Sequence, residues 1–369
     1  MKGFHLVQAL AAGFVVLLVR EPLMSASLPA EWERTLEAAR KEGIVVVSIP
    51  ASAELRKGIE DVFPKRYGVK VELFPARGAQ GVQRIQQEYK AGVRYFDVHM
   101  GGTDSFVSSL LVEGLLEDLE PFLILPEVRD PKNWWGGHIW VDKAKKYIYC
   151  FQAYLTDAGW YNTTMMKPEE LRSYDDMLSP KWKGKIGFLD PRTPGAGDAT
   201  WAFMWKVKGE EFLKKLVAQN LVLGRDQRIL AENVAKGTLA FVIGLTHYTF
   251  LPFIKAGLPV KPLPPLKEGS YATGGSGSVG VVKNAPHPNG SRLFINWLLT
   301  KEGQEIFTRT MGQGTRRLDV DTQWLKEFGI VASKDGMTIE QYYDWETQSE
   351  EKIFSVRRPA ASVAHRLLD

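Results

Sequence analysis

Apolar residues in the first third of the chain recur with spacings that alternate between helical and extended. The pattern predicts helices at 29–41, 53–63 and around 82–89, and strands at 44–49, 69–74 and 96–100. Gly43 marks the end of the first helix, and the β-branched run from Ile44 to Ile49 is typical of a strand covered on both faces. Strands that alternate with helices of about ten residues indicate parallel βαβ units.

A second set of the same kind follows a stretch rich in aromatic residues and proline near 121–140. A short strand from Ile186 to Leu189 leads into a loop at 190–198, and Gly209 separates the two helices that come next. The pattern then predicts a helix at 226–236, a buried strand at 239–245, and a Gly-rich return to the first set at 271–280.

The two sets together predict an α/β fold of two lobes, joined by strand crossings, with a ligand cleft between them. The expected boundaries are a signal peptide at 1–27, a discontinuous first lobe at 28–147 and 278–315, a second lobe at 148–277, and a C-terminal helical extension at 316–369.

The N-terminus indicates export. The apolar run from Leu6 to Val19 follows Lys2 and would rise only about 21 Å as a helix, which is short of the hydrocarbon core of a membrane. A signal peptide cleaved near Ser25–Ser27 fits this length, and the destination is then the periplasm. An uncleaved membrane anchor is the alternative.

The composition excludes several classes of function. The chain has 47 Lys+Arg against 43 Asp+Glu, and no basic run is interleaved with aromatic residues, so nucleic-acid binding is not expected. The single cysteine, Cys150, excludes an internal disulfide and a CxxC motif. The sequence carries no HExxH, G-x-S-x-G or P-loop string, so we expect neither an enzyme nor a bound cofactor.

Candidate binding residues lie directly after the predicted strands, because ligands of open α/β sheets bind beyond the carboxyl ends of the strands. Most of these loops place hydroxyl side chains, glycines or charges just before a helix, where free backbone N–H groups attract anions. The candidates are Ser52, Arg77, Gly102, Thr103, Asp104, Arg192, Thr193, Gly197, Asp198, Thr200, Thr246, His247 and Tyr248.

Each candidate also has a purely structural interpretation. Ser52, Thr103, Asp104 and Asp198 would serve equally as helix caps, and Gly101-Gly102 would serve a turn. Arg77 and Arg192 either bind a carboxylate or phosphate with two hydrogen bonds or form surface salt bridges.

Several strings in the middle and near the end of the chain resemble bacterial extracellular solute-binding proteins of family 1, in the iron(III)-type branch that includes thiamine and phosphonate binders. The strings are Tyr161-Asn162-Thr163, Lys167-Pro168-Glu169-Glu170-Leu171, Pro180-Lys181-Trp182-Lys183-Gly184-Lys185, Phe294-Ile295-Asn296-Trp297-Leu298-Leu299 and Lys301-Glu302-Gly303-Gln304. The resemblance runs from about residue 30 to 315.

The resemblance implies a periplasmic-binding-protein fold of type II that closes on one small-molecule solute by a hinge. It also implies delivery of that solute to an ABC transporter permease in the inner membrane, by a protein that we expect to be a monomer. A sensory module and, after it, an enzyme on the same scaffold are the alternative roles.

The solute is the least determined part. Iron(III) binders of this family carry adjacent tyrosines in a second-lobe loop, whereas 246–250 here retain Tyr248 and place Thr249 where the second is expected. The other adjacent pair, Tyr342 and Tyr343, is expected on the surface. A small anion or metal chelate fits the arginines and hydroxyls better, while direct iron binding through Tyr248, or a cation held by Asp104 and Asp198, stays open.

Overall fold

The computed structural model describes residues 29–76 and 80–369, so the predicted signal peptide at 1–27 lies outside the described residues. The strands are β1 Ile44–Pro50, β2 Lys70–Ala76, β3 Val98–Gly101, β4 Tyr149–Cys150, β5 Tyr154–Leu155, β6 Trp160–Asn162, β7 Ile186–Leu189, β8 Val222–Gly224, β9 Phe241–Ile243, β10 Val260–Pro262, β11 Ala272–Thr273, β12 Ser278–Val281 and β13 Val331–Ala332. The helices are α1 Ala30–Glu42, α2 Ala53–Tyr67, α3 Gln80–Lys90, α4 Thr103–Ser105, α5 Pro126–Arg129, α6 Ala196–Val217, α7 Gln227–Ala235, α8 Leu251–Lys255, α9 Pro288–Leu299, α10 Lys301–Met311, α11 Ser333–Gly336, α12 Ile339–Trp345, α13 Glu350–Lys352 and α14 Arg358–Leu368.

The first lobe is built on a five-stranded sheet with the order β2-β1-β3-β12-β4. β1 pairs in parallel with β2 and β3, as the βαβ pattern predicts, and β12 pairs antiparallel with β3. The helix predicted at 53–63 instead runs through Pro64 to Tyr67 and ends at Gly68, whose φ is 70°. Pro64 lacks the N–H for a helical hydrogen bond, and the residues beyond it still pack into the core, where Tyr67 is buried with its ring 5.3 Å from that of Phe63.

The second lobe has its own five-stranded sheet with the order β10-β6-β9-β7-β8. β7 lies at the predicted residues and pairs in parallel with β8 and β9. The predicted break at Gly209 is also present, because its φ of 78° is not helical and interrupts α6.

A third, short sheet lies where the chain passes between the lobes, with the order β11-β5-β13. β5 lies between β4 of the first sheet and β6 of the second, and β11 lies between β10 and β12 on the way back. These are the two predicted crossings. β13 comes from the C-terminal segment, residues 316–369, and pairs antiparallel with β5, which the sequence did not indicate.

The C-terminal segment contacts both lobes. On the first lobe Tyr342 is buried with its hydroxyl accepting a hydrogen bond of 2.8 Å from Gln348, so the surface position expected for Tyr342 is wrong, while Tyr343 is exposed. On the second lobe α14 packs along α6, where the indole of Trp201 donates to Ala360 O at 2.9 Å. The segment is therefore part of the core of the protein.

Two further sequence-based points concern single features of the chain. Cys150 is buried and not bonded to another cysteine. Within residues 29–76 and 80–369, none of the helices combines the length and the apolar character needed to cross a membrane.

Asn296 on α9 makes four side-chain hydrogen bonds, three of which join the helix to the 122–125 segment of the first lobe. Its Oδ1 accepts hydrogen bonds from the backbone N–H groups of Ile124 and Leu125 at 2.8 and 2.9 Å, and its Nδ2 donates to Phe122 O and Arg292 O at 2.7 Å. The side chain is completely buried.

Replacing Asn296 by Leu would leave two N–H groups and one carbonyl of the 122–125 segment buried without partners. We expect Asn296→Leu to lower the free energy of unfolding by about 3 kcal/mol or more. Gln83→Leu, on the exposed face of α3, is the control and should change stability little. Equal chemical denaturation midpoints for the two variants would contradict this role of Asn296.

Candidate functional site

The first lobe contributes to the cleft through the loop and helix that follow β3. Gly102 precedes α4, and a Cβ at this position would lie 3.7 Å from the carbonyl of Gly275 in the return crossing. Thr103 is buried, with its hydroxyl 3.3 Å from Oε1 of Gln348 in the C-terminal segment. Asp104 accepts a hydrogen bond of 2.8 Å from Ser108. This loop therefore faces both the crossing strands and the C-terminal segment.

The second lobe contributes through the start of α6, which is pressed against the end of β7. A Cβ on Gly197 would collide with the carbonyl of Leu189, and one on Gly244 would lie 2.8 Å from the Cα of Gly197. Only glycine allows this close approach. The following residue, Asp198, is thereby held in the buried first turn of α6.

Asp104 and Asp198 both form ion pairs with one arginine from the C-terminal segment. Arg357 Nε donates to Asp198 Oδ2 at 2.9 Å, its Nη2 bonds to the same oxygen, and Nη2 lies 3.8 Å from Asp104 Oδ2. Burial lowers the pKa of Arg357, but the charges of Asp198 and Asp104 outweigh it and hold that pKa above the usual value. The guanidinium is therefore a fixed cation shared by two lobes.

The surroundings of this cluster are polar and enclosed. Asp198 Oδ1 is buried and has no hydrogen-bond partner among the described residues. Thr200, two residues further along α6, donates its hydroxyl to Ala196 O at 2.8 Å. Tyr271 lies beside Arg357, and burial raises the pKa of its phenol, which stays a neutral donor at physiological pH.

The crossing strands add a second group of buried polar side chains. A Cβ on Gly275 would lie 2.7 Å from the phenol oxygen of Tyr154 on β5 and 2.6 Å from Oε1 of Gln313. Burial raises the pKa of Tyr154 well above its usual value, and the neighbouring Tyr271 and Tyr248 add to the shift. Both amide atoms of Gln152 are buried without a partner in the described part of the chain.

The loop after β9 places His247 and Tyr248 at the end of the second sheet where the chain also leaves β7, because β7 and β9 are parallel. His247 is buried, and burial lowers the pKa of its imidazole to about 4 although the backbone of Gly312 opposes the shift, so the ring is neutral at pH 7. Tyr248 is 44% exposed, and its ring meets that of His247 edge-on with centroids 5.6 Å apart.

Other predicted residues are engaged in local hydrogen bonds. Arg192 forms a two-bond pair with Asp190 at 2.8 and 2.9 Å and contacts the carboxylate of Asp369 at 2.7 Å. Thr193 donates to Asp190 O at 3.2 Å. Their part in solute binding stays a prediction.

Two more candidates have capping or anchoring bonds, and one cannot be placed. Ser52 caps α2 by accepting from the N–H of Leu55 at 3.1 Å, and Thr246 donates to Oε1 of Gln227 at 2.7 Å. Arg77 lies outside the described residues.

Sequence reasoning missed four residues that the structure brings to the site. Tyr154 and Tyr271 come from the crossings, Gln313 follows α10, and Arg357 comes from the C-terminal segment, so none lies in a loop after a main strand. The Gly-rich stretch at 271–280 was the available signal for the return crossing. Among the described residues, no group of three or more His, Cys, Asp or Glu side chains could hold a metal ion.

Two α/β lobes, two strand crossings and a polar cleft define a two-lobed solute-binding protein. Residues 60–330 match the family model of bacterial extracellular solute-binding proteins, and the chain belongs to that family. The predicted family, and with it the transport-type role in binding solute, is confirmed.

Similar proteins agree with this assignment. Iron uptake protein A1 of Synechocystis is 21% identical over 290 residues, which cover 67% of this chain and 68% of that protein. The Trichodesmium protein FutA (IdiA), solved with iron and citrate, has a TM-score of 0.67 and 21% identity over 88% of this chain and 99% of that chain. AfuA of Actinobacillus pleuropneumoniae, solved with fructose-6-phosphate, has a TM-score of 0.62 and 21% identity over 87% and 97%. The predicted type II periplasmic-binding-protein fold is confirmed.

Asp157 lies between β5 and β6, directly beside the hinge. Burial raises the pKa of its carboxyl to about 7, although a hydrogen bond of 2.8 Å from the indole of Trp160 opposes the shift. In an unfolded chain the pKa of an aspartate carboxyl is about 3.9. Between these two values the folded protein holds a proton that the unfolded chain has lost.

The stability that depends on this proton is complete below the unfolded pKa and is lost as the pH rises to about 7. Asp157→Asn removes this dependence on pH. We therefore expect the melting temperature of the variant, relative to that of the wild type, to be higher at pH 8 than at pH 5. Asp321→Asn, an exposed aspartate, is the control. A difference from the wild type that is the same at both pH values would rule out this behaviour of Asp157.

Proposed function

We propose that this chain is the periplasmic solute-capturing subunit of an ABC importer and that its solute binds where the two lobes meet at Asp104, Asp198 and Arg357. The observation that carries this proposal is the convergence of both lobes on one buried ion cluster. The family membership supports it.

Binding by closure follows from the distribution of the polar groups. The first lobe contributes Asp104 and the second contributes Asp198, and the two lobes together would enclose a solute and remove it from water. The crossing strands are short, so a small change in their backbone angles rotates one lobe against the other.

The solute that we propose is a small anion or a metal chelate with anionic oxygens. A cationic solute would have to displace Arg357 from Asp104 and Asp198. An anionic oxygen instead meets the phenol donors of Tyr154 and Tyr271 and the free N–H groups at the start of α6. Two similar proteins support this choice: FutA was solved with iron and citrate, and AfuA was solved with the anion fructose-6-phosphate.

Direct binding of iron(III) is the second candidate. The observation in its favour is that Tyr248 lies close enough to Tyr154 to raise the pKa of that phenol. A hard cation favours phenolate oxygen, and binding would have to remove the phenol protons. Here iron would be the transported solute.

The remaining parts of the proposal concern organisation and partners. We propose export through the N-terminal signal peptide at 1–27, action as a monomer, and docking to a permease in the inner membrane. The lobes would comprise 28–147 with 278–315, and 148–277. The 316–369 segment would bind across both lobes. A catalytic role is not proposed.

A screen by thermal shift and calorimetry tests the solute class with iron(III)–citrate, citrate alone, fructose-6-phosphate and inorganic phosphate as probes. A ligand at about 100 times its Kd stabilises the folded state by about 2.7 kcal/mol. We expect at least one anionic probe to raise the melting temperature of the wild type by a few degrees.

Tyr248→Ala should weaken that binding by about tenfold or more, since it removes an aromatic contact and a hydroxyl from the cleft. Tyr343→Ala, at another exposed tyrosine, should leave the affinity unchanged. Loss of a visible phenolate-to-iron absorption band in Tyr248→Phe would favour the iron candidate. No response to any probe, or equal effects of the two alanine variants, would count against the proposed site.

A further inference from the structure

The C-terminal segment delivers one arginine to the cleft and leaves its neighbour outside. Arg357 is 7% exposed, whereas Arg358 is exposed and stacks on Phe354 with 4.0 Å between its guanidinium carbon and the ring centre. A π-helical turn at Ile353–Arg357 separates α13 from α14 and ends at the buried arginine. Such turns shift side chains out of the regular helical register.

The second lobe holds Arg357 in place by packing. Val356, Ala360, Val363 and Ala364 lie in the core that also contains Trp201 of α6. Arg366 at the far end of α14 donates to Glu210 at 2.6 Å. The arginine therefore moves with the second lobe, and its approach to Asp104 is a contact between the lobes.

The partners of Arg357 are acceptors placed around its Nε and Nη2 atoms. Asp198 Oδ2 accepts from two of its nitrogens, Gly195 O lies 3.5 Å from Nη2, and Asp104 Oδ2 lies 3.8 Å from the same atom. Burying Asp198 without a cation would be costly, because a buried carboxylate must be paired. The chain supplies that cation itself.

We propose that Arg357 is the specificity-determining residue of the cleft: it occupies the guanidinium site between Asp104 and Asp198 and thereby excludes cationic solutes. This inference rests on the proposed function only in taking the cleft as the place where solute binds. Without the Arg357 side chain, the same acidic pair binds an external guanidinium.

The test uses methylguanidinium chloride at millimolar concentration with Arg357→Ala, and with Arg358→Ala as the matched control. We expect saturable binding to Arg357→Ala, seen by calorimetry and as a rise in melting temperature, at an affinity about tenfold or more above that of the wild type. Arg358→Ala should behave like the wild type. The double variant Arg357→Ala/Asp198→Asn should lose the new binding.

If Arg357→Ala does not fold alone, methylguanidinium but not sodium chloride should restore its circular dichroism spectrum. A folded Arg357→Ala that gains no binding, a wild type that binds methylguanidinium equally well, or an unfolded variant that methylguanidinium does not rescue would each overturn the inference. If the wild type responds to no anionic probe, the proposed function is contradicted, whereas guanidinium binding by Arg357→Ala would still support the inference about Arg357.

Discussion

A sheet of three strands, each of two residues, lies where the chain crosses between the two halves of this protein. β5 pairs with β11 on one side and with β13 on the other, and Tyr154 on β5 has both Thr273 and Ala332 as register partners. Any motion of one lobe against the other must pass through these few backbone hydrogen bonds. The rest of the cleft depends on them, because they determine where the loops of the two lobes meet.

The C-terminal segment makes this connection more than a two-stranded hinge. It adds β13 to the crossing strands, buries Tyr342 on the first lobe and packs α14 on the second. Arg357 then places a permanent positive charge between Asp104 and Asp198. In the enclosed cleft that charge interacts more strongly than it would in water, so its position influences both closure and the choice of solute.

The sequence predicted the parts of this arrangement that depend on local patterns. Short continuous apolar runs located β1 and β7, and the break at Gly209 followed from its residue type. Asp104 and Asp198 were among the predicted site residues, because each comes just after a strand and near the start of a helix. Their shared partner was not predicted, because Arg357 lies 159 residues from Asp198 and only the tertiary fold brings them together. Tyr342 was misplaced for the same reason, since its ring packs against Trp135, which is distant in the sequence.

Closure of the two lobes over a solute is the central claim, and a distance measurement across the cleft tests it most directly. Val112 and Ile229 are 57% and 58% exposed and lie on opposite lobes, and the buried Cys150 should not react with a spin label. We predict that in Val112→Cys/Ile229→Cys the distance distribution narrows to a single population with saturating iron(III)–citrate or fructose-6-phosphate, whichever stabilises the protein. An unchanged distribution at saturation would contradict closure around a solute.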